Sequence, residues 1–260
     1  MDYITDKTKL LFGDCLERMK EIPDNSIDCV ITDPPYGTTK LPWDSVIDLK
    51  LMWEELNRVT TIHAPIILFS AQPFTTVLCS SNLENLKYTL VWQKTKSANF
   101  NQAPNMPLKK HEDICVFSKG VIGHKVQTNK RMTYNPQGIE SCDMFVQRPS
   151  LDNDPYNYQR ENGIVKGYNQ TTTNYPSSVL TYGSEHNPKH PTQKPLDLMD
   201  WLVNTYSNPG ETVLDFTMGS GSTIVSAIQN DRKSIGIELD KTYFNLAKSR
   251  VEPFEIVDVV

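Results

Sequence analysis

The sequence predicts an α/β protein built on a Rossmann-like, doubly wound sheet of seven strands with one inserted region. Three observations predict this fold. Short apolar, β-branched runs alternate with segments of helical spacing at both ends of the chain, a pattern typical of mostly parallel sheets. Two of these runs end in turns that carry acids, prolines or glycines, and such sheets bind ligands where their strands end. The chain has 260 residues, which suffice for one large domain with an insertion.

The predicted strands are brief, and the helices between them have recognisable first residues. Seven apolar runs are assigned as strands: residues 10–12, 27–32, 65–70, 88–93, 114–117, 212–215 and 234–238. Asp14 and Asp240 are residue types that cap helices, and Pro73 suits a first helical turn. From apolar spacings of three and four, helices are assigned to residues 14–22, 49–59, 73–79, 196–206, 221–229 and 240–250.

The character of the chain changes between Gly120 and Pro188. Asn, Gln, Thr, Tyr and Pro dominate there, and no hydrophobic period holds. A segment of this length is either an inserted subdomain or a mobile functional segment. Its tyrosines and amides suit stacking on bases and contacts to base edges, but the same composition is typical of a linker. Taken alone, the composition favours a linker.

Composition restricts the class of protein. No stretch approaches the roughly 20 apolar residues of a membrane span, and the first residues do not form a signal peptide, so a cytoplasmic protein without membrane contact is expected. The net charge is −5, but ten Lys and Arg stand against four Asp and Glu between Lys87 and Arg148, which is compatible with one nucleic-acid-facing side. The five cysteines form no C-x-x-C pair and predict reduced core residues.

The strand at 27–32 is followed by Asp33, Pro34, Pro35 and Tyr36. The prolines end the strand because they lack an N–H and fix φ, so a rigid rim follows. This rim presents two acceptors, the Asp33 carboxylate and the Pro34 carbonyl, beside the face of an aromatic ring. A planar ring that carries an amino group fits these features, and a nucleobase is such a ring. The tetrapeptide by itself is also compatible with a plain strand-ending turn.

A second motif is a strand, a glycine-bearing turn and a helix, beginning at Asp215 and containing Gly219 and Gly221. Glycines let N–H groups approach a ligand closely, and a helix N-terminus favours negative charge, here a carboxylate. Glu238 ends the next strand about 20 residues on, where an acid commonly binds ribose hydroxyls. A nicotinamide site is disfavoured because Ile224 replaces the third glycine, and a P-loop because its lysine is missing. The predicted cofactor is an adenosine that carries a short zwitterion.

No metal site is predicted from the sequence. His186 and His190 are four residues apart, but Pro188 lies between them and no third ligand is evident. No cysteine nucleophile stands near the rim motif in sequence either. The candidate chemistry therefore rests on carboxylates, carbonyls and a bound cofactor.

Three motifs in consistent order resemble the amino-methyltransferases of DNA that use S-adenosylmethionine. They are Asp-Pro-Pro-Tyr at 33–36, Asp-Phe-Thr-Met-Gly-Ser-Gly-Ser at 215–222 and His-Pro-Thr-Gln-Lys-Pro at 190–195. Because the catalytic motif precedes the cofactor motif, the chain resembles the permuted β group of these enzymes.

The resemblance implies a domain organisation. In this group a target-recognition region lies between the last early strand and the His-Pro-Thr-Gln-Lys-Pro motif. The implied organisation is a discontinuous catalytic domain of the S-adenosylmethionine-methyltransferase type at 1–119 and 188–260, with a target-recognition insertion at 120–187. The resemblance therefore reverses the linker interpretation.

The resemblance also implies a role for each motif residue. The implied catalytic residues are Asp33, Pro34, Pro35 and Tyr36. For the cofactor S-adenosylmethionine, the implied residues are Asp14 at the adenine amino group, Glu238 at the ribose hydroxyls, Asp215, Gly219, Ser220, Gly221 and Ser222 at the methionine end, Thr192 near the methionine part, and Lys194 at its carboxylate. Many members read Asp-Pro-Phe-x-Gly-x-Gly, whereas Phe216 precedes Thr217 here, which leaves aromatic packing on the cofactor open.

The implied reaction is methyl transfer to the exocyclic N6 of an adenine flipped out of double-stranded DNA. An Asp in the first motif is usually associated with adenine N6 in this group, and a Ser with cytosine N4. Two alternatives stay open: a cytosine-N4 methyltransferase, and a catalytically silent module that binds DNA or cofactor. Pairing with a cognate restriction endonuclease and formation of a homodimer are also open, since relatives often dimerise.

Overall fold

The centre of the fold is a nine-stranded sheet with helices on both faces. The computed structural model describes residues 1–37, 45–123, 128–146, 167–185 and 193–255. The chain divides into two compact units, one made of Met1–Asn135 with Ser178–Val260 and the other of Pro136–Ser177. The larger unit contains the nine-stranded sheet, and the smaller contains an antiparallel pair of strands.

The strands of the larger unit are β1 (Tyr3–Ile4), β2 (Thr8–Phe12), β3 (Cys29–Thr32), β4 (Pro65–Ser70), β5 (Leu86–Ala98), β6 (Lys109–Ser118), β9 (Val179–Tyr182), β10 (Thr212–Asp215) and β11 (Lys233–Glu238), and those of the smaller are β7 (Glu140–Val146) and β8 (Tyr168–Thr173). The large sheet has the order β1-β2-β11-β10-β3-β4-β6-β5-β9. The five neighbours from β2 to β4 are parallel, and β6 is antiparallel to both β4 and β5. The parallel strands therefore end at one common edge, where such sheets bind ligands.

In the part of the chain that the structure describes, six α-helices flank the sheet: α1 (Cys15–Met19), α2 (Leu49–Val59), α3 (Phe74–Ser80), α4 (Leu196–Tyr206), α5 (Ser222–Gln229) and α6 (Lys241–Glu255). β3 shows why both faces need cover. Its Val30 belongs to the apolar cluster that includes residues of α1, α2 and α3, whereas Cys29 and Ile31 belong to the cluster that includes α4. A strand that is apolar on both sides has to be buried on both sides, so the sheet is doubly wound.

The predicted α/β, doubly wound fold class is confirmed. All seven predicted strands are present, and the boundaries of α2, β4, α4 and β10 agree with the prediction. The sheet has nine strands instead of seven, because β1 and β9 add to its two edges. Both additions are short, so they leave no hydrophobic period that sequence analysis could detect.

The segment of irregular composition after Gly120 contains three strands that the sequence patterns did not predict. β9 pairs with β5 of the large sheet, and β7 and β8 pair with each other. β7 and β8 are mostly exposed or half-buried on both sides, so they show no apolar alternation. The predicted boundaries of the insertion, 120–187, stay a prediction, and residues 124–127, 147–166 and 186–187 of it lie outside the described residues.

Two further sequence expectations concern cysteines and membranes. Cys15, Cys29 and Cys115 are buried, Cys79 and Cys142 are half-buried, and all five are free thiols. In the described part of the chain, no helix is long and apolar enough to span a membrane.

Candidate active site

The carboxyl ends of five strands, β2, β3, β4, β10 and β11, border one cavity of about 340 Å³. Its wall includes the residues that follow or end these strands: Gly13 and Asp14, Asp33, Pro34, Pro35 and Tyr36, Phe69, the turn from Phe216 to Ser220, and Glu238 and Leu239. The ends of these strands therefore converge on one crevice.

Asp33 stands directly after β3, where Pro34 begins the proline pair. Tyr36 Oη donates a hydrogen bond of 2.5 Å to Asp33 Oδ1, and the Lys194 ammonium donates to Asp33 Oδ2. The Tyr36 ring stacks on the Phe74 ring, with centroids 5.3 Å apart and planes inclined by 23°. The carboxylate is thus fixed by two donors, and protein covers one face of the tyrosine.

Asp33 belongs to a cluster of four charged side chains. Lys194 Nζ, which pairs with Asp33, also lies 3.4 Å from Glu112 Oε2, and Lys94 Nζ lies 2.5 Å from Glu112 Oε1. The signs therefore alternate from Asp33 through Lys194 and Glu112 to Lys94. The exposed fractions of these side chains lie between 9% and 21%, so water screens their attraction weakly.

The charges of the cluster stabilise one another unequally. Burial raises the pKa of Asp33, and the Lys194 ammonium and the Tyr36 hydroxyl oppose this rise. Burial also penalises the charge of Lys194, but Asp33 and Glu112 outweigh it and raise the pKa of Lys194. For Glu112, the ammonium groups of Lys194 and Lys94 outweigh burial and lower its pKa to about 2. Of the two carboxylates in the cluster, Asp33 is therefore the one whose charge the protein stabilises less.

Sequence reasoning missed Glu112 and Lys94, which complete this cluster. Lys94 was counted only as part of a basic region, and Glu112 only as one of its few acids. The available signal was an acid at the polar end of an otherwise apolar strand, beside Lys109 and Lys110. Lys194 Nζ also lies 4.9 Å above the centroid of Phe69, a cation–π contact that sequence spacing could not reveal.

Asp215, at the end of β10, accepts hydrogen bonds from three neighbours. The Thr32 hydroxyl lies 2.5 Å and the Thr217 N–H 3.2 Å from Oδ1, and the Thr223 hydroxyl lies 2.6 Å from Oδ2. The carboxyl is 4% exposed. Burial raises the pKa of Asp215 to about 6, and these hydrogen bonds limit the rise.

A chain of hydroxyl groups joins Asp215 to the rim. Thr32 Oγ1 lies 2.7 Å from Thr217 Oγ1, and Thr217 Oγ1 lies 3.1 Å from the backbone oxygen of Asp33. The chain has three contacts in succession, Asp215–Thr32, Thr32–Thr217 and Thr217–Asp33, but the two threonines supply only two hydroxyl hydrogens. While Thr32 donates to Asp215 and Thr217 donates to the Asp33 carbonyl, the contact between the two threonines has no hydrogen of its own; a proton on Asp215 would supply it by letting Thr32 donate to Thr217 instead.

Glu238 ends β11 and also faces the cavity. Its Oε2 accepts the Gly219 N–H at 2.8 Å, and its Oε1 accepts the Asp240 N–H at 2.7 Å. Burial raises the pKa of Glu238, and these two hydrogen bonds oppose the rise. Asp14 follows the neighbouring strand β2, whose Phe12 pairs with Glu238; it is exposed and caps α1 by accepting the Leu16 N–H at 2.9 Å.

The glycine-bearing turn is held by α6 as well as by its own helix. Arg250 Nη1 donates to the Ser220 carbonyl at 2.6 Å and lies 3.3 Å from Ser222 Oγ. Gly221 has φ of +76°, and a Cβ built on it would lie 3.0 Å from the Ala247 Cβ. Gly221 is therefore a glycine for its backbone conformation and for the approach of α6.

The structure brings together nearly all the residues that the sequence singled out. Those that line the cavity are Asp14, Asp33, Pro34, Pro35, Tyr36, Lys194, Asp215, Gly219, Ser220, Ser222 and Glu238. Gly221 packs on α6 and is absent from the described wall, and Thr192 lies outside the described residues. The ammonium of Lys194, predicted at a cofactor carboxylate, pairs with Asp33 and Glu112.

The chain is similar to known DNA-modifying proteins. A family model described as DNA methylase matches residues 27–249. The type II methyltransferase M.HpaI of Haemophilus parainfluenzae is 27% identical over 257 residues, which are 94% of this chain and 74% of that protein. The DNA adenine methyltransferase YhdJ of Escherichia coli is 29% identical over 262 residues, with coverage of 94% and 82%.

Solved structures share the fold. The complex of M1.HpyAVI with SAM superposes with a TM-score of 0.57 at 23% identity and covers 94% of this chain and 99% of that one. The cytosine-N4-specific PvuII DNA methyltransferase superposes with a TM-score of 0.66 at 15% identity, with coverage of 98% and 92%.

Replacing Gly221 tests the turn. We expect Gly221→Ala to lower the free energy of unfolding by about 1–3 kcal/mol, because an L-residue at positive φ is strained and the new Cβ crowds Ala247. Urea unfolding of Gly221→Ala, Ala247→Gly and the double variant gives the coupling between the two positions. A favourable coupling is expected, since Ala247→Gly removes the contact, while strictly additive effects would contradict it.

The raised pKa of Asp215 predicts that the stability of the protein depends on pH. Its folded pKa, about 6, exceeds the ordinary 3.8, so between these values the folded state binds the extra proton and the free energy of unfolding falls as pH rises. The fall amounts to at most about 3 kcal/mol. Asp215→Asn keeps a carbonyl acceptor but cannot titrate. Urea unfolding of both cofactor-free proteins from about pH 4 to about pH 8 should show the fall in wild type relative to the variant. Parallel pH profiles would disprove the assignment.

Proposed function

The chain belongs to the N6/N4 DNA methylase family and is a DNA methyltransferase, and we propose that it transfers the methyl group of S-adenosylmethionine to the exocyclic N6 of an adenine flipped out of double-stranded DNA. The observation that carries the proposal is the Asp33 carboxylate on the cavity rim, held in place by Lys194 and Tyr36. A fixed acceptor beside an aromatic ring is what an amino group on a planar base requires.

Base flipping provides the access that this geometry requires. The N6 amino group of a stacked adenine cannot reach a cavity in the protein, so the base leaves the duplex at a cost of a few kcal/mol. Phe74 occupies one face of Tyr36, and the other face is the one that we assign to the flipped base. Stacking there offsets part of the cost of extrusion.

The cavity fits S-adenosylmethionine by its chemistry. It combines carboxyl groups for amines and hydroxyls with N–H groups of a glycine-bearing turn, and each Glu238 oxygen keeps a lone pair beyond the N–H it already accepts. We assign Glu238 to the ribose hydroxyls, Asp14 to the adenine amino group, and Asp215, Gly219, Ser220 and Ser222 to the methionine end. Gly221 shapes this turn, and Thr192 is assigned to the methionine part from its motif alone.

Lys194 is assigned to Asp33 instead of to the cofactor. Its ammonium already bridges two carboxylates, and the nearer of these is the proposed catalytic one. Glu112 and Lys94 hold it from the other side. In this role Lys194 keeps the buried Asp33 ionised and fixes the direction of its oxygens.

The reaction needs little more from the protein than positioning and charge. S-adenosylmethionine, when bound, would supply an electrophilic methyl group on a sulfonium sulfur, and that sulfur would keep the bonding electrons and leave as a neutral thioether. The Asp33 carboxylate and the Pro34 carbonyl accept the two N6 hydrogens, which frees the nitrogen lone pair from conjugation with the ring. The amino nitrogen becomes positive as it is methylated, and the Asp33 carboxylate stabilises that charge. Because burial raises the pKa of Asp33, this carboxylate is also a competent acceptor for the departing proton.

Two observations support adenine over cytosine. The first motif has Asp33 where serine is usual for cytosine N4 in this group, and one of the similar proteins is described as a DNA adenine methyltransferase. The structural similarity to the cytosine-N4-specific PvuII enzyme keeps open the alternative, methylation of cytosine N4. Both substrates present an exocyclic amino group, so the same rim serves either.

We extend the proposal to specificity and partners. The residues between 120 and 187 are proposed to recognise the target sequence, since they interrupt the catalytic halves of the chain. Similarity to a type II methyltransferase supports pairing with a cognate restriction endonuclease. A homodimer is proposed by resemblance, and analytical ultracentrifugation of the purified chain measures it directly.

The test of the function is to identify the modified base. Purified protein is incubated with isotopically labelled S-adenosylmethionine and unmethylated genomic DNA, and the nucleosides are separated after digestion. Label in N6-methyladenine is expected. Label in N4-methylcytosine would move the substrate but keep the fold and the rim chemistry, and absence of label with cofactor still bound would indicate a silent module.

Asp33→Asn tests the role of the rim carboxylate. The amide keeps the size and an acceptor for Tyr36 but not the negative charge, so kcat should fall by about 10²–10³-fold, in the range seen when one electrostatic contact to a transition state is lost. Asparagine is preferred to alanine because alanine leaves Lys194 without a polar group at Asp33. Asp113→Asn is the matched control, since Asp113 bonds to Thr75 and is not part of the described cavity wall.

The two variants are compared by kcat and by the dissociation constant for S-adenosylmethionine. Cofactor affinity should change little in Asp33→Asn, and Asp113→Asn should retain wild-type turnover. Wild-type kcat in Asp33→Asn would remove Asp33 from the mechanism.

A further inference from the structure

A long β-hairpin projects from the sheet beside the cavity. We define the β5–β6 arm as residues 94–111, the end of β5, the connection and the start of β6. It begins at the charged cluster, since Lys94 pairs with Glu112, and its returning strand contributes Lys109 to the cavity wall. The arm therefore borders the cavity at Lys109.

The arm has the charge of a surface that binds an anion. It contains Lys94, Lys96, Lys109 and Lys110 and no Asp or Glu, although the whole chain carries a net charge of −5. The charge of Lys94 is already paired within the protein, with Glu112. Lys96 and Lys110 are exposed, and neither forms an ion pair within the described residues. Their charge is therefore available to a phosphate backbone.

The tip of the arm presents apolar side chains to water. Phe100 is 68% exposed and Met106 is 53% exposed. Asn99 at φ of +62° starts a 3₁₀ turn over Phe100–Gln102, and the N–H groups of Ala103 and Asn105 continue the turn by bonding to the carbonyls of Phe100 and Gln102. The side chain of Phe100 is thus exposed on a hydrogen-bonded turn, and it belongs to none of the apolar clusters found among the described residues.

An irregularity in the strand pairing sets the direction of the arm. Gln93 pairs with His111 and Ala98 with Lys109, so five steps along β5 match two along β6. Such bulges bend the bulged strand and raise its twist, and they are frequent next to active sites. Lys94 lies within the bulge and is anchored on Glu112, which ties the bend to the catalytic cluster.

We propose that the β5–β6 arm binds the DNA duplex beside the target base and that Phe100 inserts into the base stack at the position that the flipped base vacates. This inference rests on the proposed function. Lys96 and Lys110 neutralise backbone phosphates, which places the tip against the duplex. An apolar wedge between base steps is a known means of holding a duplex open, and Phe and Met are among the residues that do so.

The lysines are tested by the salt dependence of DNA binding. Lys96→Gln/Lys110→Gln should lower the slope of log Kd against log salt by about 1.8, since each phosphate contact contributes about 0.9. Lys20→Gln/Lys50→Gln is the matched control, because these lysines are also exposed but lie away from the arm, Lys20 at the end of α1 and Lys50 on α2. Its slope should equal that of wild type. The measurement uses the full chain with cofactor and needs no methyl transfer.

Phe100 is tested by the state of the target base. On a duplex with the target base paired, Phe100→Ala should lower kcat about 10- to 100-fold, as expected if stacking of one base is lost. A duplex in which the target is mismatched or faces an abasic site should restore most of the rate, because less work is needed to extrude the base. Phe100→Trp should stay close to wild type, and Leu83→Ala, an exposed apolar residue elsewhere, is the control.

The outcomes separate this inference from the proposed function. If wild type transfers no methyl group to any DNA but the lysine variant still lowers the salt slope, the function fails and DNA binding by the arm stands. If wild type is active and neither the slope nor the paired-target rate changes in the arm variants, the inference is overturned. If the arm variants change the oligomeric state of the protein but leave its DNA binding unchanged, the arm is a protein–protein contact. That result would also overturn the inference.

Discussion

The ion pair between Lys194 and Asp33 is the contact on which the candidate site depends. It joins a residue that begins the last quarter of the chain to one that follows β3, and both side chains are largely withdrawn from water. A buried carboxylate without a partner would be protonated, and a protonated Asp33 would lose the charge that the proposed chemistry needs. Glu112 and Lys94 extend the pair into a neutral set of four charges. Removing one charge leaves its partner buried without compensation, so the loss of any one member destabilises the others.

The sheet explains how residues so far apart in sequence meet. β3 and β10 are neighbours in the sheet although about two-thirds of the chain separates them, and their ends carry Asp33 and Asp215. β11 and β2 complete the row with Glu238 and Asp14. Parallel strands bring their carboxyl ends to one edge whatever their order in sequence, which is why a permuted arrangement of motifs still assembles one cavity.

Sequence patterns predicted the parts of this protein that are governed by local or periodic rules. The apolar runs of β3, β4 and β10, the proline rim and the glycine-bearing turn followed from strand propensity, φ restriction and helix starts. Glu112 and Lys94 could not be predicted in the same way, because their role arises from a pairing between β5 and β6 and a lysine about 80 residues further on. The pairing of Lys194 with Asp33 rather than with a cofactor carboxylate is likewise a matter of tertiary distance. β9 was not assigned because only Leu180 of its four residues is buried, whereas β3 and β10, which are equally short, are buried along almost their whole length.

The hydroxyl chain from Asp215 through Thr32 and Thr217 to the Asp33 carbonyl has a polarity that can run in one of two directions. With a proton on Asp215, every hydroxyl donates toward the rim, and the Asp33 carbonyl accepts the Thr217 hydrogen. When a cation approaches Asp215 and the proton leaves, Thr32 turns its hydrogen back, and one acceptor is left short of a donor. Binding of a cation at Asp215 thereby changes how readily the Asp33 carbonyl accepts a further hydrogen bond. Such linkage is reciprocal, so a molecule at the rim that donates to this carbonyl would favour a cation at Asp215 by the same free energy.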